Sequence, residues 1–279
     1  MDFLNFLFPK YCINCKKLGD YICANCFAFI VFDTDGVCAV CDKPSINKLT
    51  HPGCKNKYSI DGVFSSILYK GVCKKLIYNF KYKPYLTDLR EILSDLFYEG
   101  LIQKQEFYDA IKNSQKLILV PIPLYSGRER TRGYNQAEIL AGDLSKRLGF
   151  KTFNMLKRVK KTSSQVTLSK KQRKENIKGA FELNLNLESY ARGASAFLVD
   201  DVFTTGSTLT EAAKILKRSG IKSVWALTLA RDWDIITLTG DALHRQECTL
   251  KTASRLWLAV AKHNQNINAN DNRYAYAFA

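Results

Sequence analysis

Eight cysteine and histidine residues near the start of the chain have the spacing of metal ligands. Two thiolates separated by two residues in a tight turn reach one tetrahedral ion at ~2.3 Å, and two such pairs complete its coordination. The chain has three Cys-x-x-Cys pairs and one His-x-x-Cys pair, formed by Cys12 and Cys15, Cys23 and Cys26, Cys38 and Cys41, and His51 and Cys54. The sequence therefore predicts two zinc ions in closed sites, which are structural because no coordination position is left open.

The simplest pairing gives one ion to the first four cysteines and the other to the remaining four ligands. The spacing leaves an interleaved pairing open. Unligated cysteines or a single redox pair are alternatives, and four successive pairs disfavour both. His51 has a further alternative as an ordinary surface histidine, and Cys73 and Cys248 lie outside the pattern.

A second group of residues is arranged as a phosphate-binding site. The apolar run Phe197–Val199 ends at two acidic residues, Asp200 and Asp201. A loop that opens a helix follows, and it consists of Thr204, Thr205, Gly206, Ser207 and Thr208. Ligands of open α/β sheets bind at the carboxyl ends of the strands. Glycine allows close approach of the backbone, the hydroxyls donate hydrogen bonds, and the helix N-terminus adds a positive dipole end.

Two carboxylates would repel a bare phosphate, but they fit a phosphate carried by a sugar with two hydroxyls. The string 197–208 resembles the phosphoribosyl-diphosphate (PRPP) motif of type I phosphoribosyltransferases. The resemblance implies that Asp200 and Asp201 hold the ribose 2′- and 3′-hydroxyls at the catalytic centre. It also implies that loop 204–208 holds the 5′-phosphate. The alternative is an ordinary capped helix after a strand, with the two aspartates as turn residues.

Positive charge is concentrated in the middle of the chain. Residues 116–180 hold 16 Lys or Arg and 4 acidic residues, which is +12 of the total net charge of +16. Arg128, Arg130 and Arg132 follow an apolar run, and their guanidinium groups suit the diphosphate of PRPP. The basic stretch Lys157–Lys178 is expected to cover the active site or to bind a nucleic-acid backbone, the latter through Lys157, Arg158, Lys160 and Lys161. A solvated charged face is the alternative.

The order of these motifs resembles the ComF family, in which a double zinc ribbon precedes a phosphoribosyltransferase domain. The matching segments include 69–71, 77–82, 120–137 and 156–181. The resemblance covers most of residues 8–232 and implies a role in natural competence and DNA uptake. It implies PRPP with Mg²⁺ as ligand. Residues 233–279 match nothing in the family pattern.

The spacing of apolar residues predicts the helices and strands that position these groups. Helices are predicted over 86–102, 134–148 and 208–219, and strands over 117–120, 196–199 and 221–229. The last strand–helix–strand succession is a parallel β-α-β unit. The predicted class is therefore α/β, with the parallel sheet of a type I phosphoribosyltransferase fold flanked by helices. The predicted domains are a double zinc ribbon over 1–58 and a phosphoribosyltransferase-like domain over 59–232, followed by a poorly ordered tail over 233–279.

The composition limits the classes of function. The chain has 279 residues, of which 46% are hydrophobic and 24% charged, so it can form a core and is not a disordered chain. No apolar run approaches the ~18 residues of a spanning helix. The start of the chain, 1–8, lacks the basic region and cleavage site of a secretory signal. Paired cysteines in a long basic chain favour a reducing cytoplasm, and the net charge favours a polyanionic partner.

Three functions are compatible with these features. The first is a ComF-like protein that binds PRPP–Mg²⁺ and single-stranded DNA, with competence or recombination proteins as partners. Its stacking candidates are Tyr69, Tyr78, Phe80 and Tyr82, which are alternatively core residues. The second is a nucleotide-salvage transferase that moves phosphoribose from PRPP to a nitrogen nucleophile. The third is a non-catalytic zinc-ribbon scaffold that senses PRPP.

Overall fold

The cysteine-rich head, residues 9–58, contains little regular structure. The computed structural model describes residues 9–82, 87–162, 170–187 and 192–232. In the head it shows the four-residue helix α1 (Ala24–Phe27) and two 3-10 turns, Ile46–Lys48 and Pro52–Cys54. A segment this short with so few periodic apolar residues needs a staple such as a metal ion.

A parallel sheet of five strands forms the centre of the remaining chain. Including a separate two-stranded ribbon, the strands of the described residues are β1 (Gly62–Leu68), β2 (Leu117–Pro121), β3 (Lys151–Thr152), β4 (Leu156–Arg158), β5 (Phe181–Leu183), β6 (Ser195–Phe203) and β7 (Ser223–Arg231). The order in the sheet is β1-β7-β6-β2-β3, and β4 pairs separately with β5 in an antiparallel ribbon. Residues 195–199 at the start of β6 are all buried, as expected where helices cover both faces of a parallel sheet.

Helices cover both faces of this sheet. They are α2 (Val72–Tyr82), α3 (Thr87–Ile102), α4 (Gln105–Lys112), α5 (Ser126–Arg132), α6 (Gln136–Leu148), α7 (Lys170–Ile177) and α8 (Ser207–Arg218). The helices predicted over 86–102, 134–148 and 208–219 correspond to α3, α6 and α8. Helix α6 begins at 136 because the Asn135 side chain accepts a hydrogen bond from the backbone N–H of Ala137. It ends at Gly149, whose φ of 74° is left-handed.

Helix α2 has no counterpart among the predicted elements. Its buried residues Val72, Leu76, Ile77 and Phe80 recur every three to four positions and pack in the core. Cys73 lies on the same face and is 1% exposed, so it packs in the core. Cys248 and the predicted tail, 233–279, lie outside the described residues.

The head and the sheet share one apolar core. Phe27 and Ile30 of the head belong to the same buried cluster as residues of α2, α3 and β7. A buried ion pair adds to this contact, because Arg231 at the end of β7 donates to both carboxylate oxygens of Asp33 at 2.7 and 2.5 Å. The domain boundary at residue 58 stays a prediction, since it marks a change in sequence rather than a gap in packing.

Within the described ranges no helix has the length and apolar character required to cross a bilayer.

Candidate functional site

The first four cysteines converge in one cluster. The sulfur atoms of Cys12, Cys15, Cys23 and Cys26 lie within 4.8 Å of one another. Asn14 Nδ2 donates to Cys26 Sγ at 3.3 Å. Burial raises the pKa of Cys12, but backbone N–H groups, chiefly those of Cys15 and Cys23, bring it down to about 6. The backbone therefore favours the thiolate of Cys12, which is the form that binds a metal, whereas burial raises the pKa of Cys26 to about 12.

The second cluster contains Cys38, Cys41, His51 and Cys54, whose ligand atoms also lie within 4.8 Å of one another. His51 Nδ1 is 3.3 Å from Cys41 Sγ, and His51 Nε2 is 2.9 Å from the carbonyl oxygen of Pro44. Because a carbonyl only accepts hydrogen bonds, Nε2 carries the proton and Nδ1 turns its lone pair to the thiols. His51 thus has the orientation and the tautomer of a metal ligand.

Both clusters fit zinc. Each offers four nitrogen or sulfur donors, the set that tetrahedral structural zinc prefers, and the pairing is sequential rather than interleaved. Four protein donors leave no coordination position for a substrate. The two clusters are therefore called the first and second metal centres, and each can hold a zinc ion that stabilises the head.

The two acidic residues lie at the carboxyl end of β6, at the central part of the sheet. Asp200 Oδ1 accepts a hydrogen bond from the backbone N–H of Asp201 at 2.8 Å. Burial, and next the adjacent Asp201, raise the pKa of Asp200 to about 7. Asp201 has a different environment, because Lys81 Nζ on α2 donates to its Oδ1 at 2.9 Å. The two carboxylates are therefore chemically distinct although they are adjacent.

Lys81 is a site residue that the sequence analysis missed. Burial lowers its pKa, but the neighbouring Asp201 and Asp200 outweigh burial and raise the pKa above its usual value. Tyr69, which follows β1, lies near the same pair, and burial raises the pKa of its hydroxyl. The carboxyl ends of β1 and β6 thus lie around one charged group, as expected for a site at the carboxyl ends of parallel strands. Since 120 positions separate Lys81 from Asp201, local spacing could not reveal the pair.

The predicted phosphate loop, residues 204–208, joins β6 to α8. Gly206 has φ +68° and ψ 1° and precedes the first residue of the helix. The hydroxyls of Thr205 and Ser207 are 2.9 Å apart. The first N–H groups of a helix have no partner within the helix. The loop therefore combines hydroxyl groups, helix N–H donors and a left-handed glycine at the strand end, which is the arrangement predicted from the sequence.

Two arginines from different elements meet beside the acidic pair. Arg128 of α5 donates to the carbonyl oxygen of Thr162 at 2.9 Å, and Arg158 of β4 donates to the Thr162 hydroxyl at 2.6 Å. Burial and then the nearby Arg128 lower the pKa of Arg158, while Asp200 partly opposes them. Arg158 Nε is buried and has no hydrogen-bond partner among the described residues. Two guanidinium groups held together in this way offer donors that suit an anion.

The other predicted basic residues face solvent. Lys157, Lys160 and Lys161 are exposed, and so is Arg130. Arg132 instead donates to Gln136 Oε1 at 3.0 Å, and its guanidinium carbon lies 5.1 Å from the centre of the Tyr82 ring. The residues predicted to bind a nucleic acid therefore have two different environments. Arg158 points inward, whereas Lys157, Lys160 and Lys161 point into solvent.

The four aromatic stacking candidates also divide. Phe80 is 3% exposed and belongs to the core, so its ring is not available to a ligand. Tyr78 and Tyr82 are 58% and 55% exposed, and their ring centres are 4.8 Å apart on one face of α2. Tyr69 is half-buried beneath Lys74, whose Nζ lies 5.3 Å from the ring centre.

A surface cavity of about 460 Å³ continues this face toward the first metal centre. Its lining includes three lysines and two amides, namely Lys16, Lys74, Lys75, Asn14 and Asn79. Lys75 Nζ donates to Asn14 Oδ1 at 2.9 Å across the junction of head and helix. Tyr78, Tyr82, Arg132 and this cavity are together called the α2 platform.

Comparison with known proteins adds family information. The model of the family described as "Phosphoribosyl transferase domain" matches residues 135–241. "Competence protein F" of Haemophilus influenzae is 44% identical over 114 residues, which is 40% of this chain and 49% of that protein. "DNA utilization protein YhgH" of Escherichia coli K12 is 38% identical over 114 residues, 40% of this chain and 48% of that protein.

A longer match is to "Competence protein ComFC" of Bacillus subtilis 168, which is 26% identical over 226 residues, or 77% of this chain and 86% of that protein. By contrast, the chain spans about half the length of the competence protein F and YhgH relatives. The match to the domain model agrees with the parallel sheet and its flanking helices, which together have the type I phosphoribosyltransferase fold.

Proposed function

Because this chain is a homologue of the ComF-type competence proteins and carries a phosphoribosyl transferase domain, we propose that it binds PRPP–Mg²⁺ and single-stranded DNA. We place this function in the uptake or metabolism of DNA in the cytoplasm, where competence or recombination proteins are its partners. The observation that carries the proposal is the site at the carboxyl end of the central strand β6, where two acidic residues precede the hydroxyl-rich loop 204–208.

The two halves of the site suit the two parts of a phosphorylated ribose. Ionised carboxylates only accept hydrogen bonds, so Asp200 and Asp201 would receive those of the ribose 2′- and 3′-hydroxyls. The loop would surround the 5′-phosphate with hydroxyl and N–H donors, and the N-terminus of α8 adds a favourable dipole. Lys81 would then fix the orientation of Asp201 and limit the negative charge next to the ligand.

We assign the diphosphate of PRPP to Arg128 and Arg158. The Arg158 side chain is half-buried and its Nε has no hydrogen-bond partner among the described residues, and guanidinium groups form paired hydrogen bonds with phosphate oxygens. Mg²⁺ bound with the diphosphate would neutralise charge and improve the leaving group. This assignment takes Arg158 away from the predicted nucleic-acid residues and leaves Lys157, Lys160 and Lys161 as the exposed members of that set.

Calorimetry with PRPP and Mg²⁺ tests this half of the proposal. We expect one ligand per chain, and we expect Asp201→Asn to weaken binding while circular dichroism shows an unchanged fold. Glu182→Gln, at the exposed position of β5, is the matched control and should bind normally. The absence of binding to the zinc-replete protein would remove the PRPP proposal.

The same samples distinguish the two alternative functions. Diphosphate release on addition of a purine, pyrimidine or amine would establish a transferase, in which the acceptor nitrogen attacks C1 as the C1–O bond to diphosphate breaks. Tight PRPP binding without release of diphosphate for any acceptor would favour a PRPP sensor.

The α2 platform supports the single-stranded DNA half of the proposal. Exposed rings accept base stacking without sequence preference, and cations beside them contact the phosphates. Tyr78 and Tyr82 offer two such rings, while Arg132 and the three lysines of the cavity supply positive charge. The platform and the acidic site use different side chains of α2, with Tyr78 and Tyr82 for the strand and Lys81 for the acidic pair, and Tyr69 borders both sites.

Fluorescence anisotropy with a labelled oligothymidylate tests the platform. Base–aromatic stacking contributes ~1–3 kcal/mol per base, so Tyr78→Ala and Tyr82→Ala should each weaken binding by roughly 5- to 150-fold. Affinity should also fall steeply between ~50 and ~200 mM salt. The control is Tyr108→Ala, which removes an exposed tyrosine from α4. Equal affinities for all three variants would exclude the platform, and no binding at low salt would exclude DNA binding altogether.

A further inference from the structure

The second metal centre contacts the phosphate loop directly. Ala39 lies between the metal ligands Cys38 and Cys41, and its backbone carbonyl faces Gly206. A Cβ at position 206 would overlap the carbonyl oxygen of Ala39. The same Cβ would lie 3.2 Å from the Ala39 carbonyl carbon and 3.0 Å from Phe203 Cε2. Gly206 thus has two reasons to be glycine, since its φ is also left-handed.

Two further contacts join the same segments. The Thr210 hydroxyl, in the first turn of α8, lies 3.4 Å from the carbonyl oxygen of Ala39, and it is the donor. Val37 and Ala39 are 7% and 0% exposed and belong to the same apolar cluster as Phe203 and Leu209, which flank the phosphate loop. The loop is therefore packed against the turn that carries two metal ligands.

The turn around Ala39 has a fixed shape. The backbone N–H of Cys38 donates to the Lys43 carbonyl at 2.9 Å, and that of Asp42 donates to the Cys38 carbonyl at 2.8 Å. Ligation of Cys38 and Cys41 would close the same turn through their side chains. A change in the shape of this turn would move the Ala39 carbonyl and remove its packing contact with Gly206.

We propose that Ala39 is a positioning residue, through which the second metal centre holds the loop 204–208 in its phosphate-binding shape. Zinc at the second centre and PRPP therefore bind cooperatively. This inference rests on the proposed function, because it concerns the same PRPP site. The first centre does not share the role, since it borders α2 near Lys75 and Asn14, away from Gly206.

Thermodynamic reciprocity provides a test on the unmutated protein. If zinc at the second centre increases PRPP affinity, PRPP must increase zinc affinity by the same factor. Zinc competition with 4-(2-pyridylazo)resorcinol should show two ions per chain. Addition of PRPP–Mg²⁺ should tighten one of them by about fivefold or more and leave the other unchanged. The coupling would be refuted if PRPP bound normally and changed neither zinc affinity.

Two matched variants assign the coupled ion to its centre. Cys54→Ser removes a half-buried ligand of the second centre, and Cys23→Ser removes a half-buried ligand of the first. Each should retain one zinc by metal analysis. Cys54→Ser should lose about fivefold or more in PRPP affinity, and Cys23→Ser less than about twofold. Equal losses in both would overturn the inference. If wild-type protein with two zinc ions binds no PRPP, the proposed function fails instead.

Discussion

Neighbouring side chains of one type have different chemistry in this protein. Asp201 is paired with Lys81, whereas burial and the charge of Asp201 raise the pKa of Asp200 to about 7. Since the usual pKa of Asp is ~3.9, the folded chain retains a proton on Asp200 that the unfolded chain loses as the pH rises above ~4. The contribution of Asp200 to stability is therefore lost as the pH rises from ~4 to about 7.

The same titration should control ligand binding. Only the ionised carboxylate is a pure acceptor for ribose hydroxyls, and its population increases about tenfold between pH 6 and 8 when the pKa is about 7. We expect PRPP affinity, measured by calorimetry, to increase by up to about tenfold over this range. The ligand's own phosphates also titrate near pH 6, so Asp200→Asn is the control. Identical pH profiles for both proteins would show that Asp200 does not titrate in this range.

Arg158 and Lys160 provide a second residue-scale test, since they are two positions apart and face opposite environments. Arg158 meets Arg128 at Thr162, and Lys160 is exposed. A hydrogen bond to a charged group contributes ~1.5–3 kcal/mol, so Arg158→Gln should weaken PRPP binding by about 10- to 150-fold. Lys160→Gln should leave PRPP affinity unchanged. If both substitutions had the same effect, charge alone and not the position of Arg158 would govern binding.

At the scale of elements, helix α2 connects the two proposed sites. Its buried face packs in the core, Lys81 reaches Asp201, and Tyr78 and Tyr82 are exposed. Lys81→Met should weaken PRPP binding and leave DNA affinity unchanged, because the platform residues stay in place. Tyr78→Ala should do the reverse. Both affinities can be measured on the same preparations by calorimetry and anisotropy, and a joint loss in either variant would argue against two separate sites.

The helix also shows what sequence reasoning could and could not predict. Local patterns in the sequence predict the α/β class, the strand that carries the acidic pair, helices α3, α6 and α8, and the spacing of the metal ligands. Confirmation of the sequential ligand pairing required the fold. The roles of Lys81 and Arg158 depend on contacts between residues far apart in sequence. Arg158 was assigned by its basic neighbours, but only the structure shows that its side chain turns inward.

At the scale of the whole molecule, the metal centres stabilise more than the head. Cys12 and Cys26 are buried in the same core as α2, and Val37 beside the second centre is buried against the other side of the sheet. Loss of the head's packing would therefore expose apolar surface of the sheet and its helices as well.

Metal removal is thus expected to destabilise the entire chain. Scanning calorimetry of protein treated with a zinc chelator should show a melting temperature lower by about 10 °C or more, since structural zinc contributes folding energy directly. Readdition of zinc should restore the transition, and Mg²⁺ alone should not. A transition unchanged by chelation, with metal loss verified by elemental analysis, would show that the head folds without ions.

The ion pair between Asp33 and Arg231 has a consequence for biosynthesis. The partners are 198 positions apart, so the ribosome incorporates Asp33 long before Arg231. At ~5–20 residues per second this interval lasts roughly 10–40 s, and during it Asp33 has no Arg231 with which to form the ion pair. The contact between residues 9–58 and the end of β7 can therefore form only after β7 has been translated.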